Sequence, residues 1–273
     1  VIQHMILLIA FILLAITGFA LKYPQQWWVE FLADMGMTEP VRQMIHRVSA
    51  VVMLVLGLYH IAYLFVTGRG REVLRNLIPR KSDFRSLIDN LKYYLGFSSK
   101  MPEFDQYNYA EKAEYWALIW GTILMGITGL FLWFPTLIDD WSPVWLIKVS
   151  EIVHFYEAIL ASLAILVWHW FFVIFHPREY PMSFRWIDGK MSIDHFKHHH
   201  RLQFKRIIRE WFLYRNDELN FRKLSHSTKL FARTMKQNKL DPDIFIQEQI
   251  REDPDLVDTE EEEKNENNQT EGS

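Results

Sequence analysis

The sequence predicts an all-α membrane protein, a four-transmembrane-helix bundle with a cytoplasmic helical and disordered C-terminal tail. Four apolar runs each approach the about 20 residues that a spanning helix needs, and a backbone in lipid must satisfy its own hydrogen bonds. After about residue 176 a polar, charged segment replaces the part rich in Leu, Ile, Val, Phe and Trp. We therefore divide the 273 residues into a membrane domain, a basic helical extension and an acidic disordered tail, at 1–176, 177–250 and 251–273.

The four predicted spans follow one another through the membrane domain. Their approximate bounds are 1–21, 43–67, 114–134 and 150–175. The first span does not resemble a cleaved signal peptide, because no small-residue cleavage site follows it. Each run has few charges and the length of a membrane-crossing helix, so the chain is expected to cross the bilayer four times.

Lysine and arginine set the expected orientation. Residues 69–112 hold nine of them and residues 176–215 hold nine more, whereas residues 22–41 and 135–148 hold one each. The positive-inside rule then places both basic segments, and both ends of the chain, in the cytoplasm. The outward loops carry tryptophans typical of an interfacial belt: Trp27, Trp28, Trp141 and Trp145.

The chain contains no cysteine. This excludes covalent c-type haem attachment, thiolate iron–sulfur clusters and disulfides within the chain. Any such centre must therefore belong to a partner protein.

Histidines inside the apolar runs are the most informative residues. An ionisable group within a membrane span is costly and indicates a functional site. His46 and His60 are 14 residues apart, and His154 and His169 are 15 apart. Each pair therefore lies on roughly one helix face, about 21–23 Å apart along the axis. His4 adds a fifth histidine at the start of the first span. Because haem iron takes axial histidines, this pattern predicts two b-type haems, one above the other.

The predicted orientation assigns each histidine a depth. His46 and His154 lie near the outer face and form the natural outer pair. The inner haem takes His169 together with either His4 or His60, and helix spacing alone favours His60. Arg47 follows His46 directly and could pair with a haem propionate or extend to the interface.

Two other classes of protein could use the same pattern. Imidazole also binds zinc, copper and nickel, so the histidines could belong to a divalent-metal transporter. Such a pathway usually has carboxylates at the bilayer midplane, where Glu157 is the clearest acid within a span. The chain could also be a haemless membrane anchor. The purified protein would distinguish the three classes. A cytochrome shows the absorbance bands of low-spin b haem, a metal transporter carries stoichiometric zinc, and a haemless anchor shows neither signal.

Several motifs in order resemble the membrane cytochrome b subunit of respiratory formate dehydrogenases, within the wider bacterial di-haem cytochrome b family that includes nickel-hydrogenase subunits. The first span has QH near its start and TGF near its end, and MIHR opens the second. KSDFRSLIDNLKYYLG and QYNYAEKAEYW precede the third span, and IVH, WHW and DGKMSIDHFKHHH follow. The resemblance covers about residues 1–205 and implies that His4 with His169, and His46 with His154, hold the two haems.

The same resemblance implies a quinone site beside the inner haem, near His169 and a loop that reads YNxGQK in the family. Here Asn108 matches the asparagine of that motif, whereas Ala110 replaces its glycine and Glu111 replaces its glutamine. We therefore expect the quinone to contact Asn108, Tyr109, Ala110 and His169. His60 departs from the family pattern, and at the depth of the inner haem it could ligate iron, or donate a hydrogen bond or a proton to quinone.

Together these features predict an electron-transfer subunit of a quinone-linked oxidoreductase complex in the bacterial inner membrane. Electrons would pass between menaquinone or ubiquinone and a partner on the outer, periplasmic face. That partner would be a multihaem cytochrome c or an iron–sulfur dehydrogenase subunit. We expect contact with membrane lipid and none with nucleic acid.

Overall fold

The computed structural model describes residues 1–139, 142–143, 145–176, 180, 182 and 184–257. Within these ranges every regular element is a helix, as the sequence predicts. Four helices are long and apolar enough to cross a membrane. In each of these helices, at most 17% of the residues in the most apolar 18-residue stretch are buried inside the protein. Most of their apolar side chains are therefore available to lipid.

The first span is helix α1, Ile2–Lys22, and the short helix α2 follows at Trp27–Asp34. Helix α3, Glu39–Val66, is the second span and begins four residues before its predicted start. Glu39 and Pro40 occupy its first turn, where an acidic side chain complements the helix dipole and proline costs no hydrogen bond. The helix ends where Arg71 donates to the carbonyl oxygens of Phe65 and Val66.

The third span is helix α6, Tyr109–Trp133. It begins earlier than predicted because Asn108 caps it: the Asn108 side-chain oxygen accepts from the backbone N–H of Ala110 and Glu111. The Glu111 carboxylate accepts in turn from the Asn108 N–H, at 2.8 Å. This reciprocal arrangement is a capping box. A short helix α7, Pro135–Asp139, follows.

The fourth span is helix α8, Trp145–Leu163, continued by π-helical turns at Ala164–His169 and Phe171–Phe175. A π turn carries an additional residue and therefore changes the direction of the side chains beyond it. His169 ends the first π turn. Trp27 and Trp145 of the predicted aromatic belt are exposed, and Trp141 lies outside the described residues.

The chain divides into two units. The first unit comprises Val1–Tyr63 and Ala113–Lys190, and so holds all five histidines of the spans and the short helix α9, Arg185–Asp188. Lys22 and Glu151 form an ion pair between α1 and α8 at 3.0 Å within it.

The second unit comprises Leu64–Lys112 and Met191–Ser273. Its helices are α4 to α5 and α10 to α13, at Gly68–Leu77, Lys81–Tyr94, Ile193–His199, Arg201–Arg215, His226–Gln237 and Pro242–Glu252. Its core consists of Phe204, Ile208, Trp211, Leu224, Ala232, Ile246 and Leu256. The structure differs from the prediction of a disordered tail at 251–273 in the first residues of that segment. There the 3-10 turn Pro254–Leu256 is ordered and packs into the core of the second unit. Positions 258–273 lie outside the described residues.

Candidate functional site

His46 on α3 and His154 on α8 face each other in the first unit. Their ring centroids are 6.4 Å apart and their planes are inclined at 63°. The two residues are more than 100 positions apart in the sequence, so the bundle brings them together.

A threonine orients His46 from the neighbouring helix α1. Thr17 Oγ1 lies 3.0 Å from His46 Nδ1 and 2.5 Å from the Leu13 carbonyl oxygen. The hydroxyl has one proton and donates it to that carbonyl, so it accepts from the Nδ1–H of the imidazole. The hydrogen-bond network therefore assigns the Nδ1–H tautomer to His46, which leaves the Nε2 lone pair available to a metal.

The same arrangement recurs at His154. Thr128 Oγ1 on α6 lies 2.9 Å from His154 Nδ1 and 2.7 Å from the Leu124 carbonyl oxygen. His154 is accordingly assigned the same tautomer, with Nε2 free to ligate. We did not predict a role for Thr17 or Thr128, although the repeat ITGF at 16–19 and ITGL at 127–130 marks both.

A glycine follows each threonine and allows the imidazole to approach the helix. A Cβ at Gly18 would lie 3.1 Å from His46 Cε1, and one at Gly129 would lie 3.3 Å from His154 Cε1. Both distances are shorter than ordinary van der Waals contacts. The Thr–Gly pair on each helix therefore fixes one histidine by a hydrogen bond and by close backbone contact.

A second histidine pair, His4 on α1 and His169, has the same centroid separation, 6.4 Å, with planes inclined at 38°. His169 Nδ1 lies 3.4 Å from a carboxylate oxygen of Glu114. His4 Nδ1 is buried and has no hydrogen-bond partner among the described residues. Trp186 packs near His4, with ring centroids 6.3 Å apart.

His60 has a different environment, because both of its ring nitrogens have hydrogen-bond partners. Nδ1 lies 2.8 Å from the Gln3 side-chain oxygen, and Nε2 lies 3.0 Å from the Tyr115 hydroxyl. The amide oxygen can only accept, so Nδ1 donates to Gln3 and Nε2 accepts from Tyr115. The lone pair that would bind iron is therefore engaged by a phenol.

The geometry of both pairs fits two axial ligands on one metal ion. An imidazole nitrogen binds a transition metal at about 2 Å, so two imidazoles on opposite sides of one ion have centroids about 6 Å apart. The inclination of the rings is unrestricted, because each plane can turn about the metal–nitrogen bond. Both observed separations of 6.4 Å agree with this arrangement.

The remaining predicted site residues have local partners. The Arg47 guanidinium lies over the Trp133 ring, 5.3 Å from its centroid, in a cation–π contact. Asn108 caps α6, and the Tyr109 hydroxyl accepts from Asn90 at 2.8 Å. Ala110 is buried. These three predicted quinone-binding residues belong to the second unit, whereas His60 and His169 belong to the first.

Comparison with known families gives the histidine pairs a context. The sequence model of prokaryotic cytochrome b561 matches residues 1–183, which include both pairs. The chain belongs to the prokaryotic cytochrome b561 family. It is therefore a membrane b-type cytochrome of electron transport, and its cofactor is b-type haem.

Three relatives of this cytochrome are formate dehydrogenase subunits. The nitrate-inducible cytochrome b556(Fdn) subunit of Escherichia coli K12 is 24% identical over 204 residues, which cover 75% of this chain and 86% of the relative. The cytochrome b556(fdo) subunit of the same strain is 26% identical over 167 residues, 61% and 72% of the two chains. The cytochrome b556 subunit of Haemophilus influenzae is 22% identical over 166 residues, 61% and 64%.

The relatives confirm the family that the sequence motifs indicated. They favour a cytochrome over the two alternatives, a divalent-metal transporter and a haemless anchor. In the described part of the chain, no group of three or more His, Cys, Asp or Glu side chains could hold a metal ion. Axial haem ligation needs only the two imidazoles of each pair.

Proposed function

We propose that this cytochrome is a di-haem subunit that carries electrons between the membrane quinone pool and a redox partner on the outer, periplasmic face. One observation carries the proposal: two histidine pairs have the same 6.4 Å separation of ring centroids. Haem supplies one-electron transfer at each pair when bound, and two haems at different depths connect the two faces of the bilayer.

The outer haem is held by His46 and His154, and the inner haem by His4 and His169. The Nδ1–H tautomers that Thr17 and Thr128 impose on the outer pair support the first assignment, since they leave Nε2 to the iron. The ring distance between His4 and His169 supports the second. Arg47 lies next to the outer ligand His46 and provides a cation for a haem propionate.

His60 serves quinone rather than iron. Its hydrogen bonds to Gln3 and Tyr115 form a chain across three helices, α1, α3 and α6. Gln3 and Tyr115 directly adjoin His4 and Glu114 in the sequence, so the chain lies beside the inner pair. A histidine so placed can accept a proton at Nε2 from the Tyr115 hydroxyl and release one from Nδ1, so it can relay a proton for quinone chemistry; donation to a quinone carbonyl would replace its hydrogen bond to Gln3. The family resemblance is the basis for proposing Asn108, Tyr109, Ala110 and His169 as further quinone contacts.

The membrane quinone that donates or accepts the electrons is menaquinone or ubiquinone. The partner is an iron–sulfur or dehydrogenase subunit or a periplasmic multihaem cytochrome c, and the formate dehydrogenase relatives support the first of these. The protein lies in the bacterial inner membrane with both termini in the cytoplasm. The bias of lysine and arginine towards residues 69–112 and 176–215 supports this orientation.

Haem counting on single variants tests the ligand assignment. We expect His46→Ala and His154→Ala to lose the same haem and retain the other, because alanine offers no lone pair to iron. His4→Ala and His169→Ala should both lose the second haem. The measurement is the pyridine haemochrome of each purified variant, with reduced-minus-oxidised spectra to identify the haem that remains. The pairing is wrong if His46→Ala and His154→Ala remove spectrally different haems.

His60 provides the matched control, since it is a span histidine without an assigned iron. His60→Ala should keep both haems and slow quinol-linked electron transfer, and Asn108→Ala should behave in the same way. Loss of a haem in His60→Ala, with two retained in His4→Ala, would reverse the assignment of the inner ligand.

A further inference from the structure

Helix α5, Lys81–Tyr94, turns its polar side towards other residues of the second unit, to which it belongs. The Lys112 ammonium contacts both carboxylate oxygens of Asp83 at 2.8 Å, and Lys112 is itself buried. Asn90, which is also buried, donates to the Tyr109 hydroxyl. Asp83 and Asn90 are seven residues apart and therefore share a helix face. Both side chains thus contact other residues of the second unit, although the buried Asn90 amide oxygen has no hydrogen-bond partner among the described residues.

The adjoining side of α5 is apolar and exposed. Phe84, Leu87, Ile88 and Leu91 follow the spacing i, i+3, i+4 and i+7, so they form one stripe along the helix. Phe84 is 67% exposed and Leu91 is 56% exposed. The surface extends past the end of the helix to Phe97, which is 80% exposed. A soluble helix has the reverse arrangement, with its apolar stripe against the core.

A row of basic residues borders the stripe. Lys81, Arg85 and Lys92 follow the spacing i, i+4 and i+11, which places all three along one edge of the apolar side. Long basic side chains beside an apolar stripe can extend to anionic phosphates while their stems cover apolar surface. The border of the stripe therefore matches the chemistry of an anionic phospholipid headgroup layer.

Chain connectivity keeps α5 close to a bilayer. The span α3 ends at Val66 and the span α6 begins at Tyr109, so both ends of the segment that contains α5 emerge from the same membrane surface. Only 14 residues separate Val66 from the start of α5 and 14 separate its end from Tyr109. Both connections therefore tether the helix on the side of the membrane from which the two spans emerge.

We propose that α5 binds the anionic phospholipid surface of the membrane that α3 and α6 cross. Phe84, Leu87, Ile88 and Leu91 enter the boundary between headgroups and acyl chains. Lys81, Arg85 and Lys92 contact the phosphates. This lipid-binding surface is independent of the haem and quinone assignments.

Site-directed spin labelling of the full-length protein tests this surface, and the lack of native cysteine makes every label specific. The test variants are Phe84→Cys and Leu91→Cys. Ser82→Cys is the matched control, because Ser82 is exposed on the opposite side of the same helix. Val55→Cys on α3 is the membrane reference, since Val55 is an exposed apolar residue of a span. Each purified variant is placed in nanodiscs of phosphatidylcholine with phosphatidylglycerol, and haem absorbance verifies its fold.

We expect labels at positions 84 and 91 to be accessible to oxygen and shielded from a water-soluble nickel chelate, at the depth of about 5–10 Å typical of an interfacial helix. The label at position 82 should show the opposite preference. Nickel access at positions 84 and 91 equal to that at position 82 would mean that the stripe faces water and would overturn the proposal. Shielding from both reagents would mean that protein covers the stripe, either a partner or a second copy, and would also overturn it.

Discussion

Replacing Thr128 by valine tests how the bundle prepares a histidine for haem. Valine has nearly the shape of threonine but a methyl group in place of the hydroxyl. The variant removes the acceptor that lies 2.9 Å from His154 Nδ1 and leaves the ring N–H without its partner. The imidazole then loses both its assigned tautomer and its fixed orientation.

The expected magnitude follows from that one hydrogen bond. An unsatisfied polar group in a buried position costs about 1–3 kcal/mol, which corresponds to about 5- to 150-fold in an equilibrium constant. Loss of an outer hydrogen-bond partner of a metal-bound histidine typically weakens metal binding about 10- to 100-fold. Both ranges agree, so we expect one haem to dissociate about 10- to 100-fold faster in Thr128→Val.

The assay is transfer of haem from the detergent-solubilised cytochrome to apomyoglobin, followed by absorbance. Thr128→Ser is the matched control, because serine keeps the hydroxyl and should release haem slowly. Thr17→Val should accelerate release of the same haem, since it acts on His46, the other member of the pair. Equal rates for Thr128→Val and Thr128→Ser would refute the tautomer argument.

Three further variants test other parts of the structure. Glu114→Gln removes the carboxylate beside His169 and should raise the midpoint potential of the haem proposed at that histidine by about 60 mV in a redox titration, if the anion stabilises the oxidised state tenfold. An unchanged potential would contradict this role. Phe204→Ala should destabilise the second unit by about 3–5 kcal/mol and accelerate its limited proteolysis about 100-fold or more, with haem content unchanged. Lys112→Met leaves Asp83 without its cation and should increase amide hydrogen exchange in α5, and the double variant with Asp83→Asn should restore protection.

The membrane spans could be predicted from the sequence because their signal is composition and length. The starts of two spans were less predictable, since they depend on caps. Asn108 and Glu111 have the spacing of a capping box, and this signal would have moved the third span back to Tyr109. The π turns near His169 have no comparable signal in the sequence.

The candidate site was predictable in its residues and less so in its contacts. Spacing along a helix indicated the histidine pairs and by itself favoured His60 over His4 as the partner of His169, whereas the family resemblance favoured His4. That choice depends on which helices are neighbours, and only the fold supplies the hydrogen bonds of His60 to Gln3 and Tyr115. The repeated Ile-Thr-Gly sequence was visible, yet its meaning appears only when Thr17 and Thr128 lie beside their histidines.

The repeated Thr–Gly arrangement has a consequence for biogenesis. Helices α1 and α3 form one hairpin with Thr17 and His46, and α6 and α8 form another with Thr128 and His154. Each hairpin contains both an imidazole and the threonine that orients it, but neither holds the complete histidine pair of the proposed haem site. Haem bound between them would join the two hairpins, and its binding free energy would add to the stability of the bundle. Haem supply during synthesis would then determine how much of the inserted protein escapes membrane proteolysis, so a cell short of haem would lose the apoprotein rather than accumulate it.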